Sequence, residues 1–181
     1  IDPGPTHPHP RAEIPVPRLL TTLTADTPPH PRYVVWELTL RCDLACRHCG
    51  SRAGAARPDE LSSAEALDLC DQLADLGCQH VSLAGGEPTL RPDWDEIVAK
   101  LVSRGVRASL VSNGMTWDAA LTAHAKRAGV HRVGFSLDGL EATHDCARRV
   151  QQGHEKVLAA IRHCKEAEIE TVAITTVTRH N

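Results

Sequence analysis

From Tyr33 onward, short runs rich in β-branched and aliphatic residues alternate with longer stretches in which apolar residues return every three or four positions. The short runs predict strands over 33–40, 79–84, 106–112, 131–137 and 169–177. The longer stretches predict helices over about 61–76, 92–104, 117–128 and 144–167. Ala66, Leu69, Cys70, Leu73 and Leu76 make one helical stripe, and Val157, Leu158, Ile161 and Cys164 make another. Ser62 and Glu65 have capping-box spacing, Pro92 suits a first helical turn, and Gly77, Gly105 and Gly129 suit helix ends. This β(αβ)4 order predicts an α/β fold of parallel strands joined by right-handed crossovers, with ligand sites beyond the strands' carboxyl ends.

Alternation within the strands sorts their side chains. In the first, Val34, Trp36, Leu38 and Leu40 share a face expected under the helices, leaving Glu37 and Thr39 on the other. In the fourth, Val133, Phe135 and Leu137 oppose Gly134, Ser136 and Asp138. Polar side chains thus gather on one surface, as on the concave inside of an open or closed barrel.

The first 32 residues break this pattern. Nine of the 12 prolines fall within residues 1–31, in stretches such as Pro5-Thr6-His7-Pro8-His9-Pro10. Proline cannot donate to a backbone ladder, so residues 1–32 read as an extended leader ahead of a core over 33–181. Across the 181 residues, 41% hydrophobic and 24% charged residues favour one folded domain over disorder. A net charge of −3 without long runs of either sign gives no attraction to nucleic acid or anionic membranes. Aromatic residues make up only 3%, which leaves few rings on which bases could stack. No apolar stretch approaches the roughly 20 residues of a membrane span, and no signal peptide opens the chain. The expected location is cytoplasmic.

There, seven cysteines read better as thiols than as disulfides. Cys42, Cys46 and Cys49 form a CxxxCxxC loop directly after the first strand. Three thiolates on one loop can hold a four-iron cluster with one corner left open. The same thiols with His48 or a distant histidine could instead make a structural zinc site. The second strand runs into Gly85-Gly86-Glu87-Pro88, where free strand-end carbonyls and a carboxylate could receive an ammonium, or where two glycines simply make a turn.

CxxxCxxC after the first strand, Gly-Gly-Glu-Pro after the second, Ser112-Asn113-Gly114 after the third and Ser136-Leu137-Asp138-Gly139 after the fourth resemble the radical S-adenosylmethionine superfamily. The likeness covers residues 33–181. Trp36-Glu37-Leu38-Thr39, and His144-Asp145 followed by Arg148, look most like the peptide-maturing branch that carries a C-terminal SPASM domain. Enzymes that trim tetrapyrrole side chains are similar over the same region.

The resemblance implies a (βα)6 TIM-type barrel in which Cys42, Cys46 and Cys49 hold a [4Fe–4S] cluster. The fourth iron of that cluster chelates S-adenosylmethionine. Gly85, Gly86 and Glu87 would hold the methionyl ammonium, Ser136 the ribose or carboxylate, Asn113 would line the same pocket, and Arg148 would pair with the carboxylate. Reductive cleavage then yields a 5′-deoxyadenosyl radical that takes hydrogen from the substrate. None of these is a catalytic residue in this reading; they bind the cofactors. The implied partners are a ribosomally made peptide and an electron donor such as a flavodoxin or ferredoxin.

Some features depart from the family pattern. His48 stands where an aromatic residue usually precedes the last cluster cysteine, and Arg149 where a glycine often follows the motif's arginine. Cys146 lies close to the expected site, while Cys70, Cys164 and Cys78 read as core. The sixth βα unit and the SPASM cysteines are not in the sequence, so the chain resembles the amino-terminal part of a maturase, its barrel cut after the fifth strand. The run Thr171–Val177 then offers an unpaired edge that invites association. Besides a peptide maturase and a tetrapyrrole-processing enzyme, a non-catalytic metal-binding fragment that needs a partner chain fits these residues.

Overall fold

The computed structural model describes residues 30–181, so residues 1–29 of the expected leader lie outside the described residues. Strands β1 (Tyr33–Thr39), β2 (His80–Gly85), β3 (Arg107–Ser112), β4 (Arg132–Ser136) and β5 (Glu170–Ile174) form one sheet in chain order. Every pairing is parallel. Helices α1 (Ser63–Asp75), α2 (Trp94–Ser103), α3 (Ala119–Ala128), α4 (Glu141–Arg148) and α5 (Gly153–Glu166) connect them, with a short 3₁₀ turn at Pro88–Leu90. This is the expected α/β architecture, a partial TIM-type barrel. Among the described residues no helix is long and apolar enough to cross a membrane.

The register explains where the core sits. Trp36 pairs with Leu83, Leu83 with Leu110 and Leu110 with Val133, so one row of apolar side chains crosses four strands. Leu83, Leu110 and Val133 are fully buried in a core completed by Ala66 and Cys70 of α1, Ile97 and Leu101 of α2 and Val157 and Cys164 of α5. Burial pushes the Cys70 and Cys164 thiols up to about 11, as inert core cysteines require. The opposite face is open at both edges: Val35 of β1 is 64% exposed and Ile174 of β5 is 40% exposed.

Four expectations need correction. The helix foreseen over 144–167 is two helices, because Arg149 and Gln152 adopt left-handed backbone (φ 55° and 59°). Asp145 Oδ1 accepts from His154 N (2.9 Å) in the first turn of α5, and a Cβ on Gly153 would collide with Val150. The fifth strand stops at Ile174 rather than 177, since Thr175 Oγ1 donates to Leu137 O (2.7 Å) and Thr176 N to Asp138 Oδ1 (2.9 Å) instead of continuing a ladder. Pro92 precedes the N-cap Asp93, and Leu76, the C-cap of α1, is exposed rather than part of its buried stripe. The Ser62–Glu65 capping box is formed, with Ser62 N donating to Glu65 Oε2 at 2.8 Å.

The two faces of the sheet differ in what they contribute to stability. Leu110→Ala is expected to cost about 2–5 kcal/mol through a buried cavity, whereas Val35→Ala stays within about 0.5 kcal/mol of wild type. Urea denaturation checks both, and similar losses would contradict this sidedness.

Candidate functional site

The site begins where β1 ends. Gly54 N donates to Leu40 O (2.9 Å) and Cys42 N to Gly54 O (3.0 Å), which closes residues 41–54 into a loop carrying Cys42, Cys46 and Cys49. Such a loop cannot bury a core of its own, so side chains from elsewhere hold it. Glu60 Oε1 accepts from Leu40 N (2.8 Å), Thr39 Oγ1 (3.0 Å) and Arg57 N (3.0 Å). Glu37, on the concave face of β1, binds Ser51 Oγ and Arg57. Arg47 N donates to Ala147 O of α4 (2.9 Å), and Asn113 Nδ2, beyond β3, donates to Asp43 Oδ1 (2.6 Å). Glu60 escaped the sequence reading because a lone glutamate far along a loop carries no motif.

The three thiols are free and half-buried. They line one cavity of about 220 Å³ together with Gly85, Gly86, Asn113, Ser136 and Arg148. Eight of the nine candidate residues therefore share a single space at the carboxyl ends of β1 to β4. Each cysteine sulfur has one N–H donor from a different part of the chain: Asn113 Nδ2 to Cys42 (3.9 Å), Arg148 Nη1 to Cys46 (3.9 Å) and Ala53 N to Cys49 (3.3 Å). Burial raises the Cys42 and Cys46 thiols, and Arg148 pulls Cys46 partly back. A raised thiol gives up its proton when a metal replaces it, which couples metal uptake to proton release.

The donor set distinguishes between the two metal readings. Among the described residues no three Cys, His, Asp or Glu side chains converge on a point where one ion could sit. His48, the local candidate for a fourth zinc ligand, lies instead 3.2 Å from Asp138 Oδ2. Three sulfurs spread around one cavity, each accepting from an N–H, suit a group with several metal corners better than a single ion.

Gly85 and Gly86 are needed for a reason that their motif did not reveal. Gly86 N donates to Thr39 O (2.8 Å) and Glu87 N to Arg41 O (2.8 Å), so the root of the cysteine loop lies directly on the end of β2. A Cβ on Gly85 would strike the Thr39 carbonyl, one on Gly86 the Arg41 carbonyl, and Gly85 also has φ 139°. The close backbone approach is that of the preceding strand end.

Glu87 is the candidate that the cavity does not include. Its side chain is fully buried, with Oε1 accepting from Thr89 N (3.3 Å) and Thr89 Oγ1 (2.7 Å), and Oε2 from Ser112 Oγ (3.0 Å) and Asn113 N (2.8 Å). Burial raises its carboxyl while these donors draw it back. The carboxylate is spent on joining the ends of β2 and β3, which leaves it turned away from the cavity.

Arg148 reaches the cavity from α4. Its Nε donates to Asp138 Oδ2 (2.8 Å), so its Nη end faces Cys46. Asp138 is 1% exposed; burial pushes its carboxyl up, but Thr176 N, Arg148 and His48 together hold it below the ordinary range. Its own N–H donates to Nδ1 of the buried His144 (3.2 Å). Cys146 is exposed beside a second cavity of about 490 Å³ that shares His48 and Thr176 with the first.

Comparisons with known proteins give the chain's family and fold. The family model described as the Radical SAM superfamily matches residues 36–181. Fe-coproporphyrin III synthase of Methanosarcina barkeri is 35% identical over 149 residues, 82% of this chain and 37% of that protein. The mycofactocin maturase MftC of Mycobacterium ulcerans is 34% identical over 152 residues, 83% and 41% of the two. Among solved structures, Streptococcus suis SuiB superposes with TM-score 0.73 when bound to precursor peptide SuiA and 0.70 when bound to S-adenosylmethionine. At 18% and 17% identity, both comparisons cover 84% of this chain and 34% of SuiB. The chain spans less than half the length of these relatives.

The arrangement around Glu87 has a testable consequence. Each of its oxygens accepts from a backbone N–H that cannot turn round, so a glutamine would point its amide N–H₂ at one of them. Glu87→Gln is expected to lower stability by about 1–3 kcal/mol, the cost of leaving a buried donor unpaired. Chemical denaturation measures it, and an unchanged midpoint would mean that the carboxylate does not join these strand ends.

Proposed function

The chain belongs to the radical SAM superfamily, and from that premise we propose that it is the cluster-bearing part of an enzyme that modifies a ribosomally made peptide. In this reading Cys42, Cys46 and Cys49 hold a [4Fe–4S] cluster, and Gly85, Gly86, Asn113, Ser136 and Arg148 receive S-adenosylmethionine beside it. The observation that carries it is the single cavity in which all eight side chains and backbone segments meet. When bound, the cluster and S-adenosylmethionine supply reductive cleavage of a carbon–sulfur bond and hydrogen abstraction from a substrate.

The chain's own residues do the positioning. The backbone carbonyls beside Gly85 and Gly86 would offer acceptors to an ammonium, Ser136 a hydroxyl, and the Nη end of Arg148 a cation to a carboxylate or thiolate. Glu87 serves this site from behind, by setting where β3 and Asn113 stand. Asn113 in turn fixes Asp43 and the start of the cysteine loop. A flavodoxin or ferredoxin as electron donor and a cytoplasmic location belong to the same proposal.

Peptide maturation is supported by the likeness to a mycofactocin maturase and by the shared fold of a structure solved with a precursor peptide. A second reading, tetrapyrrole side-chain processing, is favoured by the 35% identity to Fe-coproporphyrin III synthase. Both readings place the same cofactors on the same residues.

Anaerobic reconstitution is expected to give about four iron and four sulfide per chain, the content of one such cluster, lost on changing any of the three cysteines to alanine. Stoichiometric zinc that resists replacement by iron would defeat the assignment. With reductant, S-adenosylmethionine should be converted to 5′-deoxyadenosine. Mass change in a precursor peptide, against trimming of a tetrapyrrole side chain, then decides between the two substrates. Turnover only after a second polypeptide is added would favour the partner-dependent reading.

A further inference from the structure

Asp138 lies outside the residues assigned above, yet it joins the cysteine loop, α4 and the segment after β5. It sits just past the end of β4 and is 1% exposed. Its Oδ2 accepts from Arg148 Nε (2.8 Å) and lies 3.2 Å from His48 Nε2, inside the cysteine loop between Cys46 and Cys49. Its Oδ1 accepts from Thr176 N (2.9 Å), beyond β5. The backbone of the same residue is held as well, through its N–H to His144 Nδ1 and its carbonyl to Asn181 Nδ2 (2.7 Å). One buried carboxylate therefore grips the cysteine loop on one side and the only cation facing a loop sulfur, among the described residues, on the other.

We infer that Asp138 is a positioning residue that sets the distance between the Arg148 guanidinium and the Cys46 sulfur, and through it the reduction potential of the bound cluster. The inference rests on the cluster assignment above. Its physical basis is the rigidity of the guanidinium group. Because that group is planar, fixing Nε against Asp138 also fixes where Nη1 lies, and Nη1 stands 3.9 Å from Cys46 Sγ. The same oxygen's contact with His48 fixes the loop that carries the sulfur. Hydrogen bonds and charges at the ligating sulfurs tune the potential of an iron–sulfur cluster, and outer residues that orient such groups commonly matter about 10–100-fold for affinity or activity.

The sign of the effect separates positioning from simple charge. A cation beside the sulfur favours the reduced, more negative cluster, so Arg148→Gln lowers the midpoint potential. Asp138→Asn removes an anion, which alone would raise the potential. If Asp138 acts by placing Arg148, Asp138→Asn instead lowers it, and in the Arg148→Gln background, where no cation is left to place, adding Asp138→Asn no longer lowers the potential.

The experiment is redox titration of the reconstituted full chain, followed by the reduced-cluster resonance, for wild type, both single variants and the double variant. Iron content is measured in parallel. A fall in Asp138→Asn that is not additive with Arg148→Gln is the expected result; a rise, no shift, or an additive shift overturns the inference. Should Asp138→Asn fail to fold, Asp138→Glu keeps the charge and lengthens the reach by one carbon. Placement then predicts a lowered potential, and charge alone predicts none. A wild type that takes up no cluster would overturn the site assignment and this inference with it, whereas a normal wild-type cluster with a raised potential in Asp138→Asn overturns the inference alone.

Discussion

The contact between the end of β1 and the two glycines at and just past the end of β2 is the constraint from which the site is built. Two backbone hydrogen bonds, Gly86 N to Thr39 O and Glu87 N to Arg41 O, bring the root of the cysteine loop onto the neighbouring strand end. No side chain fits between them. Once Glu87 is placed by that contact, its buried carboxylate must find donors, since an unpaired charge in the interior costs several kcal/mol. It finds them at Thr89, Ser112 and Asn113. Asn113 then reaches back to Asp43, and the ends of β1, β2 and β3 are locked into one arrangement.

A second buried carboxylate does the corresponding work on the other side of the cavity. Asp138 gathers the end of β4, the segment after β5, α4 through Arg148 and the cysteine loop through His48. The cavity lies between these two anchored halves, with its three sulfurs donated by the loop that both halves grip. The parallel sheet makes this possible, because every strand delivers its carboxyl end, with unpaired backbone groups, to the same edge.

Relatives that bear the names of a tetrapyrrole synthase and of a peptide maturase are about equally similar to this chain. That is the pattern expected of a region whose residues serve a shared cofactor chemistry.

Much of the fold was legible in the sequence because it depends on local rules. Alternation placed Val133 and Phe135 under the helices, capping spacing placed the start of α1 at Ser62, and the spacing of Cys42, Cys46 and Cys49 put three thiols on one loop beside the cavity. What local rules could not supply was the direction of side chains whose partners lie far along the chain. Glu87 reads as a ligand-facing acid until Ser112 and Asn113 are seen to claim it. Arg148 reads only as a partner for a ligand carboxylate until Asp138 takes its Nε edge, and Glu60 carries no signal until Leu40 and Thr39 donate to it. The break between α4 and α5 is of the same kind: Arg149 and Gln152 have no intrinsic need for left-handed backbone, and it accompanies the hydrogen bond from His154 N to Asp145 Oδ1 that joins the two helices. The sequence by itself determined which elements form and which residue types gather at their ends. Only the tertiary structure decided which of those polar groups face the cavity and which are consumed in holding it, because a buried polar group must be paired and its partner is chosen by packing rather than by position in the chain.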